Sequence, residues 1–166
     1  MRFFKPLESN PRVTVRPLMH IDIPDVCAAA TEFFQESSFR KQTLRIDKYA
    51  KMLTDYIGNT YVQSFVCYMD NELAGYIHIY CQDDYTDELI GELYQFYVRK
   101  KFRGKGIARM LVDAADVKWA QWGCVKAYAD ANPGFDDSGL SVKLFQNLWG
   151  KFGFKSTGQS FMKEYP

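Results

Sequence analysis

Five cations cluster between Arg99 and Lys105, at Arg99, Lys100, Lys101, Arg103 and Lys105, around Gly104 and with Gly106 directly after them. Before the cluster, Leu89 to Val98 is rich in aromatic and β-branched residues and predicts a strand. After it, Ile107, Met110, Leu111 and Ala114 recur at helical spacing, so Lys105 to Trp122 predicts a helix buried on that face. A helix N-terminus carries free backbone N–H groups and a partial positive charge. Glycines let an anion approach that backbone, and flanking cations add attraction. The strand–turn–helix therefore predicts an anion site for a phosphate-bearing ligand. No GxxxxGK[ST] pattern is present, which excludes a nucleotide-hydrolysing phosphate loop.

Other chemistries are excluded by spacing. Cys27, Cys67, Cys81 and Cys124 form no CxxC or CxxxC pair, so neither a zinc site nor a redox pair is expected, and the thiols read as mostly buried and free. There is no HExxH, and neither His20 nor His78 belongs to a Ser-His-Asp pattern; no metal is expected. His78 alternates with Tyr76 and Tyr80 on one strand face and reads as a hydrogen-bonded core or surface histidine, with a second base as the alternative. The formal net charge of +1 gives no general attraction to nucleic acid. No apolar run reaches the length of a membrane span, and the first residues lack a signal-peptide core, so a soluble cytoplasmic protein is expected.

The elements that must position the turn follow from pattern. At 166 residues with 47% hydrophobic and 16% aromatic content, the chain reads as a single globular domain over 1–166. Val13 to Pro17 predicts a strand, Val26 to Gln35 a helix with Pro24 in its first turn, and Asp47 to Ile57 a helix capped by Asp47. Tyr61 to Met69 and Leu73 to Cys81 predict a hairpin turning at Asp70-Asn71. An acidic loop with Asp83, Asp84, Asp87 and Glu88 leads to the strand Leu89 to Val98. Beyond the central helix and its stop at Gly123 come a strand at Val125 to Ala131, a turn-rich insertion at Asn132 to Gly139, a helix at Ser141 to Phe152 and a last strand at Phe161 to Tyr165. Helices on both faces of a mixed sheet are the expected α/β architecture.

Arg103-Gly104-Lys105-Gly106-Ile107-Ala108 resembles the R/Q-x-x-G-x-G/A signature of the GNAT superfamily of N-acetyltransferases, and the order of elements is similar along nearly the whole chain. The resemblance implies a GNAT-like α/β fold: a mixed, mostly antiparallel sheet of six to seven strands flanked by about four helices. It implies acetyl-CoA as co-substrate, with backbone N–H groups from Arg103, Gly104, Lys105, Gly106, Ile107 and Ala108 around the pyrophosphate. It also implies backbone pairing of Phe96, Tyr97 and Val98 with the pantetheine arm. Glu92 stands where several relatives carry a glutamate that accepts the amine proton through water. By simple alternation it shares a strand face with Tyr94, Phe96 and Val98.

The sequence departs from the family where a tyrosine often protonates the leaving thiolate. Trp149-Gly150-Lys151-Phe152-Gly153-Phe154 keeps the Gly-Phe ending but has Trp149 at the tyrosine position, and an indole N–H donates hydrogen bonds without useful acidity. Tyr128, Tyr94 or water is left as the proton source. Asn132 is a further CoA contact if its loop folds back, and Asp136 and Asp137 either face the amine or belong to a solvated loop. The expected function is transfer of an acetyl group from acetyl-CoA to a primary amine, of a small molecule or of a protein. The alternative is a non-catalytic acyl-CoA-binding or partner-binding module, and Trp149 is the residue that favours it. The family also admits a homodimer through sheet edges.

Overall fold

The computed structural model describes residues 11–83, 87–129 and 147–156. The sequence order is β1 (Val13–Pro17), α1 (Ile23–Glu36), α2 (Ile46–Tyr56), β2 (Val62–Met69), β3 (Glu72–Gln82), β4 (Ile90–Val98), α3 (Ile107–Trp122) and β5 (Lys126–Ala129), followed by helical residues 147–151. The five strands lie in the order β1-β2-β3-β4-β5. β1 to β4 are antiparallel, and β5 joins β4 in parallel. The class is the α/β mixed sheet that the sequence predicts. Of the six to seven strands expected, the described residues form five, and Phe161 to Tyr165 lies outside them.

The hairpin joining β2 to β3 turns on Asp70 and Asn71, with φ of 50° and 66°. Two successive left-handed residues match the twist of the strands they join, and Asp and Asn tolerate that conformation. Pro24 sits in the first turn of α1, where no backbone donor is lost. In α2 the cap position is Arg45, not Asp47; Asp47 lies in the first turn and pairs with the Arg45 guanidinium at 2.8 Å.

The sheet separates two apolar layers. On one face, α3 and Trp149 pack over Phe65, Cys67, Ile77, Ile79 and Leu93. On the other, α1 and α2 cover Val66, Leu73, Tyr76 and Tyr97. The buried face of α3 is Ile107, Leu111, Val112, Ala115 and Trp119, whereas Met110 is exposed. The stripe is therefore rotated from the Ile107–Met110–Leu111–Ala114 reading, because Trp119, a turn further on, is the large anchor. Trp119 lies directly over Gly91: a Cβ there would stand 2.4 Å from its ring. The Trp119 indole N–H donates to the Tyr80 carbonyl at 3.3 Å. The thiols are free, with Cys27, Cys67 and Cys81 buried.

One irregularity decides which side chains meet. Opposite β3, His78 pairs with Gln95 but Ile79 pairs with Leu93, so Tyr94 is an extra residue on β4. Such a bulge resets the alternation of faces. Leu93, Phe96 and Val98 pack on the α3 side, and Tyr97 on the α1–α2 side. Glu92 thus shares its face with Gln95 and Tyr97, not with Phe96 and Val98. The simple period-two reading is corrected at this point.

Candidate active site

The turn between β4 and α3 is built on left-handed glycines. Gly104 has φ of 74° and Gly106, the N-cap of α3, has φ of 81°. A Cβ at either position would meet nothing within 4 Å. Conformation, not crowding, demands glycine here, and the space over the backbone is open. The Met110 N–H makes a bond to the Gly106 carbonyl at 3.2 Å. The N–H groups of the preceding turn, including Ile107 and Ala108, lie at the helix terminus where intrahelical partners are missing.

The cations around the turn are distributed differently from their sequence order. Arg99 is held by Glu32 at 2.6 Å and by Glu72 at 3.2 Å. Lys101 pairs with Glu72 as well. The Arg103 guanidinium donates to Glu36 at 2.6 Å and to the Val98 carbonyl at 3.0 Å. Burial would raise the Glu36 carboxyl, but hydrogen bonds from Arg103 and Tyr97 hold it below the usual range. Lys105 rests its ammonium 5.5 Å from the Phe102 ring centre. Among the described residues, Lys100 and Lys105 are the members of the cluster that form no close ion pair, and Lys100 still acts on the Glu36 carboxylate from further away.

The strand leading into the turn has an open side. β5 pairs with β4 only from Ile90 to Leu93. Among the described residues, nothing pairs with the same edge beyond Leu93. The Arg99 N–H donates to the Ala74 carbonyl at 2.9 Å, and the Tyr97 carbonyl crowds Gly75; both belong to β4's inner edge, towards β3. By strand alternation, the N–H and C=O of Phe96 and the N–H of Val98 face the open side. Tyr97, grouped with them in the sequence reading, is turned inward in both backbone and side chain. Its hydroxyl donates to Glu36 at 3.0 Å.

Glu92 and Tyr128 come together. They are register partners across the parallel pair β4–β5, so their side chains stand on one face. Glu92 is half-buried and Tyr128 is exposed. The Glu92 carboxylate accepts hydrogen bonds from the Tyr80 hydroxyl and, at 2.6 Å, from the Gln82 amide. Two neutral donors hold it in place, and no cation forms an ion pair with it among the described residues. Tyr94, on the bulge, is exposed. Trp149 lies in the α3 layer against Phe96, Phe152 and Phe154, with ring centres 5.2–5.9 Å apart. It is buried, and its indole N–H has no hydrogen-bond partner among the described residues. Asn132, Asp136 and Asp137 lie outside the described residues.

A second polar group near the bulge was not legible in the sequence. The Tyr49 hydroxyl of α2 lies 2.9 Å from His78 Nε2 and 2.8 Å from Gln95 Oε1, and His78 Nδ1 lies 2.8 Å from Ser64 Oγ. His78 is fully enclosed, and burial pushes its imidazole down to about 3. Alternation marked His78 as a strand residue, but only the packing of α2 on the sheet brings Tyr49 to it. His20 is exposed. Among the described residues, no three His, Cys, Asp or Glu side chains converge as metal ligands, and no helix is long and apolar enough to cross a membrane.

The fold that carries this strand, glycine turn and helix is similar to that of solved acetyltransferases. The aminoglycoside N-acetyltransferase AAC(6')-Iy in complex with CoA superposes with a TM-score of 0.77 at 15% identity, covering 96% of this chain and 98% of that one. The same enzyme with a bisubstrate analogue, CoA-S-monomethyl-acetylneamine, gives 0.73 at 17% identity, covering 93% and 99%. A ribosomal-protein-alanine N-acetyltransferase from Brucella melitensis biovar Abortus 2308 gives 0.67 at 17% identity, covering 93% and 100%. At these identities the likeness defines the fold, which is that of N-acetyltransferases. Residues 25–154 match the model of the acetyltransferase (GNAT) family, and the chain belongs to that family. Comparison with curated proteins finds no matching sequence.

Proposed function

We propose that this acetyltransferase moves an acetyl group from acetyl-CoA to a primary amine by direct attack within a ternary complex. The observation that carries the reading is the edge of β4 at Phe96 and Val98, unpaired among the described residues and leading straight to the N-terminus of α3. An extended pantetheine arm would pair with Phe96 and Val98 as a strand does. Its pyrophosphate would reach the N–H groups from Gly104 to Ala108, with Lys105 beside them. Arg103, expected from the sequence to offer its N–H as well, is committed by its guanidinium to Glu36 and Val98 and by its backbone N–H to the Lys100 carbonyl at 3.3 Å, so it shapes the turn and leaves the phosphate to the N–H groups after it.

The chemistry then falls to Glu92 and its surroundings. The amine nitrogen attacks the thioester carbon, a tetrahedral intermediate forms, and the C–S bond breaks. The proton of the incoming amine passes through water to the Glu92 carboxylate, which the Tyr80 and Gln82 donors hold in place. The departing thiolate takes a proton from Tyr128, next to Glu92, or from water. Holding both substrates on one strand supplies much of the rate by proximity. An amine acceptor agrees with relatives whose solved complexes include a CoA–acetylneamine analogue and sisomicin. The cytoplasm is the compartment this reading assigns.

Calorimetry with acetyl-CoA, followed by a panel of amines read by free-thiol release, tests the proposal. Binding with turnover is the expected result. Gly106→Glu places a carboxylate at the phosphate position on a left-handed residue and should abolish acetyl-CoA binding; unchanged binding rejects the site. Binding without release on any amine would favour the non-catalytic module, for which Trp149 in place of a tyrosine is the supporting observation.

A further inference from the structure

The bulge at Tyr94 brings a fixed carboxamide to the face that Glu92 occupies. Gln95 is half-buried and one residue beyond the bulge, opposite His78. Its oxygen accepts a hydrogen bond from the Tyr49 hydroxyl at 2.8 Å. A hydroxyl has one proton, so with that proton directed at Gln95 the Tyr49 oxygen must accept from His78 Nε2, 2.9 Å away. A neutral imidazole protonated on Nε2 accepts at Nδ1, and Ser64 Oγ, 2.8 Å away, supplies that hydrogen. The chain Ser64–His78–Tyr49–Gln95 is thereby ordered in one direction. Ser64 and His78 are 1% and 0% exposed, so water does not compete within it.

At the far end, the Gln95 NH2 group has no partner among the described residues. Beside it the bulge carries the exposed Tyr94, and Glu92 is on the same face of the strand. A donor whose other end is anchored by a buried network, on the half-buried face that carries Glu92, is held in place to bond a ligand oxygen.

We propose that Gln95 is a specificity-determining residue, whose NH2 group binds a hydroxyl, ether or carbonyl oxygen carried by the amine acceptor. The assignment rests on the acetyltransferase reading for the identity of the acceptor. An amine with an oxygen near the nitrogen is held by two points, Glu92 through water at nitrogen and Gln95 at oxygen. A plain alkylamine has only the first. Because burial keeps His78 neutral near pH 7, the ordering of the chain, and with it the donor end of Gln95, persists through the working range.

Binding of amines to the protein loaded with CoA tests this without requiring turnover. The probes are glucosamine and ethanolamine, each against its oxygen-free counterpart, cyclohexylamine and ethylamine. Affinity is read by calorimetry, and the Gln95 side-chain amide is followed by 15N–1H correlation spectra. In the wild type, the oxygen-bearing amines should bind more tightly and shift the Gln95 amide pair. Gln95→Glu keeps the shape and the acceptor for Tyr49 but presents oxygen in place of NH2. It should weaken the oxygen-bearing amines about tenfold, the worth of one hydrogen bond, while the alkylamines bind as before or better. Gln95→Met, of similar length and without polar ends, should erase the preference altogether. Equal affinity for both amine classes in the wild type overturns the proposal. So does a loss that falls equally on both classes in the variants. Failure of the acetyltransferase reading registers separately, as no heat with acetyl-CoA and no thiol release in the wild type.

Discussion

Glu92 is positioned by neutral groups on both sides, and that arrangement leads to a direct expectation. Glu92→Gln keeps the size of the side chain and removes its ability to take a proton. At saturating amine, kcat should fall about 100-fold, the usual scale for loss of a general base, and the acetyl-CoA Kd should not change. Steady-state kinetics beside calorimetry separates the two; an unchanged kcat across pH would reject Glu92 as base. Tyr128→Phe tests the neighbouring hydroxyl. If Tyr128 donates the proton, kcat should drop about tenfold or more with little change in KM, whereas water as the donor leaves kcat intact. Glu92 was legible in the sequence as a carboxylate on an aromatic strand. Its pairing with Tyr128 was visible only once β5 had joined β4 in parallel register, because cross-strand register depends on packing that no local pattern records.

The elements show the same division. The β2–β3 hairpin and the helix after the glycine turn were legible because turn residues and helical spacing are local signals. The bulge was not, since an inserted residue leaves every amino acid compatible with a strand and changes only which face it takes. Met110 misled for a related reason: apolar spacing does not say which of two adjacent stripes meets the sheet, and Trp119 on Gly91 settles it. That contact is also where the packing of α3 on the sheet is least forgiving. In Gly91→Ala the new methyl meets an indole whose N–H is tied to the Tyr80 carbonyl, so the ring cannot swing aside without losing that bond. Overpacking of this kind costs about 1–3 kcal/mol. Urea unfolding should show a lowered midpoint with an unchanged m-value, and a midpoint equal to the wild type's would mean that α3 shifts freely on the sheet.

Across the whole molecule, one sheet joins the two apolar layers, so groups buried at the sheet set the pH range of the entire fold. His78 and Asp22 act in separate windows. The His78 imidazole is held down to about 3 by burial, against an ordinary value of 6.5. Between these values the unfolded chain binds a proton that the native chain does not, so stability falls as the pH drops below about 6.5. At pH 5 the loss relative to pH 7 is about 2 kcal/mol. Asp22 acts in the same direction at lower pH. Burial alone would raise its carboxyl, but the Arg16 guanidinium, the Met19 N–H and the Tyr68 hydroxyl hold it below its ordinary 3.8. Its contribution is therefore complete above that value and disappears only as the pH falls further. Acid unfolding should begin with His78 and end with Asp22. Urea titrations at pH 7 and pH 5 separate them: the wild type should lose about 2 kcal/mol between the two, His78→Gln should lose far less, and Asp22→Asn should be less stable at both pH values with the wild-type difference retained. A His78→Gln protein with the wild-type difference would place the responsible proton elsewhere.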